Sequence, residues 1–268
     1  MRLDAAIAAR GLARSRTQAA RQIEAGLVTV DGVGVVKPSA QVGDDAAIVV
    51  AGVDHYVSRG AYKLLAALDA FGLDVAGRAC LDLGASTGGF TQVLRERGAA
   101  QVVAVDVGHG QLAPQVAVDG GVVAVEGFNV RYMTSASLAD AAGVDTPPDI
   151  VVGDLSFISL TLVLPAIAEV AAQDAEIVLL VKPQFEVGRT GVREGLVTDP
   201  AARADAVAGV LWAAWDANLG TFGVIASPIV GTHGNSEFLV QLRPVAGPER
   251  PGNPTEWMQT IDRLAGVR

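Results

Sequence analysis

The stretch Cys80-Leu81-Asp82-Leu83-Gly84-Ala85-Ser86-Thr87-Gly88-Gly89-Phe90 decides the fold of this chain. Its first four residues are typical of a buried strand, and glycines follow at once. A glycine-rich turn after the first strand of an open α/β sheet lets the backbone approach a bound ligand. The stretch therefore predicts the first strand–turn–helix unit of such a sheet, with a ligand site at the turn.

The spacing of these glycines bears on which ligand binds. It is G-x-x-x-G-G, whereas turns that pack a dinucleotide pyrophosphate follow G-x-G-x-x-G. Asp82, two residues before Gly84, would repel a pyrophosphate but attract sulfonium and ammonium groups. The N-terminus of the following helix could receive the ligand's carboxylate. The pattern favours S-adenosylmethionine, and an NAD-dependent dehydrogenase is the weaker alternative.

A second acid supports the same ligand. Asp106 ends the next predicted strand, 22 residues after Gly84. An acid at this place in an open α/β sheet can accept hydrogen bonds from the ribose hydroxyls of an adenosine. The residues predicted to bind the cofactor are Asp82, Gly84, Ser86, Thr87, Gly88, Gly89, Phe90, Asp106 and, after the third strand, Asn129.

Strands alternate with helices around this unit. The predicted strands are 79–83, 101–106, 122–125, 150–154, 176–182, 221–226 and 238–242, and the predicted helices include 89–97, 160–172 and 201–218. Such alternation predicts an α/β fold with a mostly parallel, Rossmann-like sheet and helices on both faces. The last two strands are joined by too short a loop for a crossover helix, so we expect an antiparallel hairpin at the sheet edge.

The first 53 residues predict a separate, small α+β domain. Leu3 and Ile7 lie one helical turn apart, and Ser15 with Gln18 fits a capping box that opens a second helix, 16 to about 25. Short predicted strands follow at 27–30, 33–36 and 48–50. We expect this domain over residues 1–53, a linker over 54–58, the sheet domain over 59–245, and a tail with a short last helix over 246–268.

Charge is distributed unevenly between these domains. The net charge is −9, yet residues 1–37 carry six lysines and arginines against three acids, while residues 59–268 carry 14 against 23. A local basic patch on an acidic protein can bind phosphates, although charge alone is equally compatible with a solvated helix face. The candidate RNA-binding residues are Arg2, Arg10, Arg14, Arg16, Arg21, Lys37 and Arg59.

Composition argues against several other classes of protein. Half of the residues are apolar, which is typical of a globular chain, but no apolar stretch reaches the roughly 18–20 uninterrupted residues of a membrane-spanning helix. The N-terminus does not resemble a secretory signal. With Cys80 as the single cysteine and three scattered histidines, we expect no disulfide and no metal site. We expect a cytoplasmic protein; its oligomeric state is not predicted.

Polar residues also end or open three more predicted strands, namely Asp154, Lys182 and Glu237. The carboxyl ends of neighbouring parallel strands converge on one edge of a sheet, so Asp154 and Lys182 should face the cofactor cleft. A charge at the end of one apolar run often marks only the point where a strand meets water. Several such charges on the edge that carries the glycine-rich turn favour a catalytic site.

Together with Lys63, these residues resemble the K-D-K-E tetrad of FtsJ-type ribose 2′-O-methyltransferases. Four motifs resemble the TlyA family, which also bears the name hemolysin A: Ser58-Arg59-Gly60-Ala61-Tyr62-Lys63, residues 84–91, Asp154-Leu155-Ser156-Phe157-Ile158-Ser159 and Val181-Lys182-Pro183-Gln184-Phe185-Glu186. Residues 2–50 resemble that family's S4 RNA-binding domain. The resemblance covers essentially the whole chain and implies methylation of cytidines in 16S or 23S ribosomal RNA, or both, within ribosomal subunits.

The resemblance also implies roles for the tetrad. Lys182 would be the base, Asp154 and Lys63 would tune and orient it, and Glu237 would complete the network. A lysine base must first lose its proton; burial and the Lys63 cation would favour that loss, while Asp154 would oppose it. Lys182 could therefore orient the hydroxyl instead, and the sequence leaves both roles open.

The chain departs from the family pattern at two positions. Tyr56 stands where the family often has a tryptophan, and His109 where it often has a tyrosine. Two functions other than methyl transfer stay open at this stage, a hemolysin-like pore former and an RNA-binding module without catalytic activity. The intact tetrad weighs against both.

Overall fold

The computed structural model describes residues 1–13, 15–24, 26–50, 55–188, 195–231, 234–247 and 249–267. The chain divides into two compact units, Met1–His55 and Tyr56–Arg268.

The first unit packs two helices on a small sheet. Its elements are α1 (Leu3–Ala9), α2 (Arg16–Glu24), β1 (Val28–Val30), β2 (Val33–Gly34) and β3 (Ile48–Val50). The strands pair antiparallel in the order β2-β1-β3. Leu3, Ile7 and Ile23 are completely buried in the core, as the helical spacing of the first two predicts.

The second unit contains a seven-stranded sheet. Its strands are β4 (Ala79–Leu83), β5 (Gln101–Val105), β6 (Val122–Val125), β7 (Ile150–Gly153), β8 (Glu176–Val181), β9 (Leu219–Ala226) and β10 (Phe238–Pro244). The order is β6-β5-β4-β7-β8-β10-β9. Strands β4 to β8 pair in parallel, and β10 runs antiparallel to both of its neighbours. The predicted fold class is confirmed, with the hairpin closing the sheet and β9 at its edge.

Helices cover both faces of this sheet. They are α3 (Gly60–Phe71), α4 (Gly89–Glu96), α5 (Pro114–Ala117), α6 (Ser135–Ala142), α7 (Leu164–Val170), α8 (Pro183–Glu186), α9 (Pro200–Asp216) and α10 (Met258–Ala265), with 3-10 helices at Val130–Tyr132, Leu160–Leu162 and Pro254–Trp257. One core joins α3 and α4 to the sheet, and another joins α7, α9 and α10 to the opposite face.

Two predicted helices differ in detail from the structure. The helix predicted over 160–172 is a 3-10 turn followed by α7, and the last helix likewise begins as a 3-10 turn. Pro165 lies in the first turn of α7 and Pro254 at the start of the last 3-10 turn. Proline has no N–H to donate and is tolerated in the first turn of a helix, so α7 begins anew around Pro165, and Pro254 opens the last 3-10 turn.

The antiparallel direction of β10 explains how Glu237, which comes late in the chain, reaches the carboxyl edge of the parallel strands. Phe238, the first residue of β10, pairs with Val181, the last residue of β8. An antiparallel strand starts where its parallel neighbour ends, so Glu237, just before β10, lies at the carboxyl edge of the sheet. Asp106, Asp154 and Lys182 each come directly after their strands at that same edge.

Candidate active site

The four residues of the predicted tetrad form one connected set of charges. Lys63, on α3, places Nζ 2.6 Å from Glu237 Oε2 and 4.0 Å from Asp154 Oδ2. Lys182 Nζ lies 2.6 Å from the other Asp154 oxygen, Oδ1. The order is Glu237–Lys63–Asp154–Lys182, in which negative and positive groups alternate.

The network is buried unevenly. The Glu237 side chain is 3% exposed, the lysine side chains 11% and 10%, and that of Asp154 23%. Buried charges are tolerated when they are paired, and here two carboxylates face two ammonium groups. The arrangement keeps the lysines fixed, and Asp154 is the member of the network most exposed to solvent.

Lys182 has a further partner that the sequence did not single out. Its Nζ donates a 2.8 Å hydrogen bond to Ser156 Oγ, and it lies 5.9 Å from the centre of the Phe185 ring. Ser156 belongs to the Asp154–Ser159 motif and Phe185 to the motif around Lys182. Membership of these motifs is the feature of the sequence that could have pointed to both residues.

A cavity of about 540 Å³ opens beside the network. Its wall consists of Gly84, Ser86, Val105, Asp106, Val107, Gln111, Asn129, Val130, Asp154, Leu155, Ser156, Phe157 and Ile158. Cavities that hold small ligands commonly measure about 300–1,000 Å³. Four of the predicted cofactor residues, Gly84, Ser86, Asp106 and Asn129, lie on this wall, which they share with Asp154 of the tetrad.

Backbone amides fix the carboxylate of Asp106 at the wall. Ser86 N donates to Oδ2 and Gly108 N to Oδ1, both at 2.8 Å. Gln111 Nε2 approaches Oδ1 at 3.3 Å. The carboxylate is thereby oriented before any ligand binds.

Asp82 lies beneath the turn rather than on the cavity wall. It is completely buried, and Thr91 Oγ1, on α4, donates a 2.6 Å hydrogen bond to Oδ2. The other oxygen, Oδ1, has no hydrogen-bond partner among the described residues. Burial raises the pKa of this carboxyl to about 7. Oδ1 is therefore a buried acceptor that a cationic group of a ligand would satisfy.

The remaining predicted turn residues, Thr87, Gly88, Gly89 and Phe90, are not among those that line the cavity. Gly88 adopts φ +92°, and a Cβ there would lie 2.9 Å from the Leu112 and Val116 side chains. Gly89 and Phe90 are buried in the first turn of α4. Gly88, Gly89 and Phe90 thus shape the turn and pack the helix against its neighbours.

Glu186 ties together the two loops that carry Asp154 and Lys182. Its carboxylate accepts hydrogen bonds from Ser159 Oγ at 2.5 Å and from Leu160 N at 2.9 Å. Burial raises the pKa of Glu186. The rings of Phe157 and Phe185 lie 5.3 Å apart, so the loops meet a second time.

Several basic residues of the first unit are used within that unit. Arg2 and Arg16 lie 2.8 Å and 3.3 Å from Asp4, and the Arg2 hydrogen bond lowers the pKa of that carboxyl. Arg10, a candidate RNA-binding residue, donates to backbone carbonyls of residues 43, 44 and 46. Of the other candidates, Arg21, Lys37 and Arg59 are exposed, and Arg14 lies outside the described residues.

Comparison with known proteins identifies both units. The FtsJ-like methyltransferase family matches residues 56–244, and the S4 domain family matches residues 1–48. The 16S/23S rRNA (cytidine-2′-O)-methyltransferase TlyA of Mycobacterium tuberculosis is 51% identical over 245 residues, which cover 90% of this chain and 89% of the relative. The chain belongs to the TlyA family. The family resemblance expected from the sequence motifs is confirmed.

Other TlyA-like proteins bear the hemolysin name. Hemolysin A of Brachyspira hyodysenteriae is 37% identical, over 90% of this chain and 99% of its own. A solved structure from Streptococcus thermophilus, also named for hemolysin, superposes with a TM-score of 0.74 at 36% identity, covering 100% of this chain and 96% of that chain. No helix among the described residues of this TlyA family member is long and apolar enough to cross a membrane.

Proposed function

We propose that this member of the TlyA family transfers a methyl group from S-adenosylmethionine to the ribose 2′-hydroxyl of cytidines in ribosomal RNA. One observation carries the proposal: the Glu237–Lys63–Asp154–Lys182 network opens, at Asp154, into a cavity with Asp106 on its wall. The relative that is 51% identical is named for this reaction on 16S and 23S RNA.

The residues of the cavity fit the cofactor. Gly84 adopts φ +80°, and a Cβ there would lie 3.0 Å from the Asp154 carbonyl oxygen, so only a glycine lets the backbone border the cavity here. Asp106 would accept hydrogen bonds from the ribose hydroxyls of the cofactor, and Ser86 and Asn129 lie on the same wall. The unpaired Oδ1 of Asp82 is a buried hydrogen-bond acceptor beneath the turn. When bound, S-adenosylmethionine supplies a methyl group activated by a sulfonium.

The tetrad would position the nucleophile. A ribose hydroxyl must be held in line with the methyl group and must lose its proton as it attacks. Asp154 fixes the Lys182 ammonium by an ion pair of 2.6 Å, and Lys63, itself held by Glu237, neutralises the second Asp154 oxygen. Groups fixed in advance contribute to catalysis because they need no reorganisation during the reaction.

The substrate side of the cavity is suited to RNA. Phe157 is 91% exposed on the wall and presents an aromatic face to which an unstacked base can bind. The S4 unit adds the exposed cations Arg21 and Lys37, which suit phosphates. With ribosomal RNA as its substrate, the proposed enzyme would act in the cytoplasm.

The test is methyl transfer by the purified protein. Ribosomal subunits of each size, and the RNA extracted from them, are incubated with tritiated S-adenosylmethionine, and 2′-O-methyl positions are then mapped. We expect incorporation at a cytidine 2′-oxygen and none on DNA. Incorporation at a base atom, or none into any ribosomal RNA, would contradict the proposed function.

A further inference from the structure

Ser156 lies between the tetrad and the cavity. It is the second residue after Asp154, its side chain is exposed, and it lines the cavity between Leu155 and Phe157. Its Oγ accepts the 2.8 Å hydrogen bond from Lys182 Nζ. It therefore touches a buried, paired lysine on one side and solvent on the other.

The hydrogen-bonding capacity of these two groups defines what Ser156 can still do. A lysine ammonium has three N–H donors, and here one is directed to Ser156 Oγ, while Asp154 Oδ1 forms an ion pair with Nζ at 2.6 Å. A serine hydroxyl has two acceptor sites and one donor. Lys182 takes one acceptor site, and no described residue other than Lys182 is hydrogen-bonded to Ser156. One acceptor site and the O–H proton of Ser156 remain for substrate and water.

We propose that Ser156 is a further catalytic residue: its Oγ accepts a hydrogen bond from the target 2′-hydroxyl and passes that proton to water. The inference rests on the proposed function. As the bond between methyl carbon and 2′-oxygen forms, the bond between carbon and sulfur breaks, and sulfur keeps the electron pair. The 2′-proton moves to Ser156 Oγ while the Ser156 proton moves to a water molecule, so the serine is regenerated.

The Lys182 contact makes the hydroxyl suitable for this relay. Lys182 Nζ holds the serine oxygen in one position, and Asp154 and Glu186 hold the two ends of the loop that carries it. Ser156 Oγ accepts the hydrogen bond from the 2′-hydroxyl. The O–H of that hydroxyl then points towards Ser156, and a lone pair of the 2′-oxygen points away from it. Such positioning raises the rate of the chemical step and leaves cofactor binding unchanged.

The experiment compares Ser156→Ala with Ser156→Thr, which retains a hydroxyl, and with the control Ser236→Ala. Ser236 is an exposed serine beside Glu237 at the same sheet edge. We expect Ser156→Ala to lower kcat on the order of 10²-fold, the low end of proton-transfer catalysis, with KM and cofactor affinity within about twofold of the wild type. Threonine should restore most of kcat, and Ser236→Ala should keep it.

A solvent isotope effect separates the relay from a structural role. The wild type should turn over more slowly in D₂O when chemistry is measured in a single turnover, and Ser156→Ala should lose most of that difference. Normal single-turnover rates in Ser156→Ala, or an isotope effect equal to that of the wild type, would overturn the inference and leave the proposed function standing. Absence of methyl transfer by the wild type would instead refute the proposed function.

Discussion

Glu237 Oε2 lies 2.6 Å from Lys63 Nζ although 174 positions separate the two residues in the chain. Both side chains are almost completely buried. Each charge is therefore stabilised in its place by the other, and the pair connects α3 to the start of β10.

Removing one member of this pair should destabilise the protein. Glu237→Ala leaves the Lys63 ammonium buried without its nearest partner, and breaking a buried pair in this way typically costs about 3–5 kcal/mol. Glu237→Gln keeps the shape and one acceptor, so its loss should be smaller. Chemical denaturation of both variants gives the comparison. Equal free energies of unfolding in Glu237→Ala and the wild type would show that the pair does not stabilise the fold.

Lys182 should be required for methyl transfer but not for cofactor binding. Lys182→Ala should lower the rate on the order of 10²–10⁴-fold, as loss of a proton-transferring or orienting group does. Lys182→Arg should be nearly as damaging because a guanidinium cannot be deprotonated and has a different shape. The measurement is tritiated methyl incorporation beside calorimetry with the cofactor. Near-normal turnover by Lys182→Ala would refute the assignment of the tetrad.

Asp106 should contribute to cofactor affinity. Asp106→Ala removes the carboxylate that Ser86 N and Gly108 N hold at the cavity wall. We expect weaker binding by about 1–3 kcal/mol, the usual cost of leaving buried polar partners unpaired. Asp140→Ala, at an exposed position on α6, is a matched control that removes the same charge. Calorimetry that finds the same affinity in both variants would reject the contact to the ribose.

Asp82 should make the stability of the fold depend on pH. Its pKa of about 7 in the folded protein exceeds the value of about 3.9 for an unperturbed aspartate. Between these values the folded state retains a proton that the unfolded state has released, so the contribution of Asp82 to stability falls as pH rises from about 4 to 7. Asp82→Asn should therefore gain stability relative to the wild type across that window. A difference that does not change with pH would contradict the raised pKa.

Exposed cations of the S4 unit should bind RNA, whereas the internally bonded Arg10 should support the fold. Replacing both Arg21 and Lys37 with alanine should weaken RNA binding. The slope of log K against log salt concentration should become shallower by about one for each phosphate contact that is lost. Cofactor affinity should not change. Arg10→Ala should instead lower the stability of the S4 unit, because three backbone carbonyls lose a donor. Filter binding over a salt series and thermal unfolding measure the two effects; an unchanged salt slope would contradict the first.

The sequence predicted the polar residues that follow the parallel strands. The apolar runs of β5, β7 and β8 end where Asp106, Asp154 and Lys182 follow them, and parallel strands must bring such residues to one edge. The position of Glu237 followed from the family resemblance, and its physical basis is the register of β10 against β8. Topology was thus predictable from pattern and loop length.

Side-chain partners were less predictable. Asp82 stays a predicted cofactor residue, but its partner Thr91 was not foreseen; alternation along β4 puts Asp82 on the same face as Cys80, towards α4, while Leu81 and Leu83 face the other core. That alternation was visible in the sequence. The contacts of Arg10 with residues 43–46 and of Glu186 with Ser159 were not, because they depend on how loops fold in three dimensions.

The place of β10 sets an order in which the protein acquires its properties during synthesis. Every residue on the wall of the cavity lies between Gly84 and Ile158, whereas the partner of Lys63 follows only at Glu237. A growing chain therefore contains its cofactor wall some eighty residues before the charge network can close. In a chain cut short before β10, Lys63 would be present without its nearest partner, and the charge network beside a complete cavity wall would stay open.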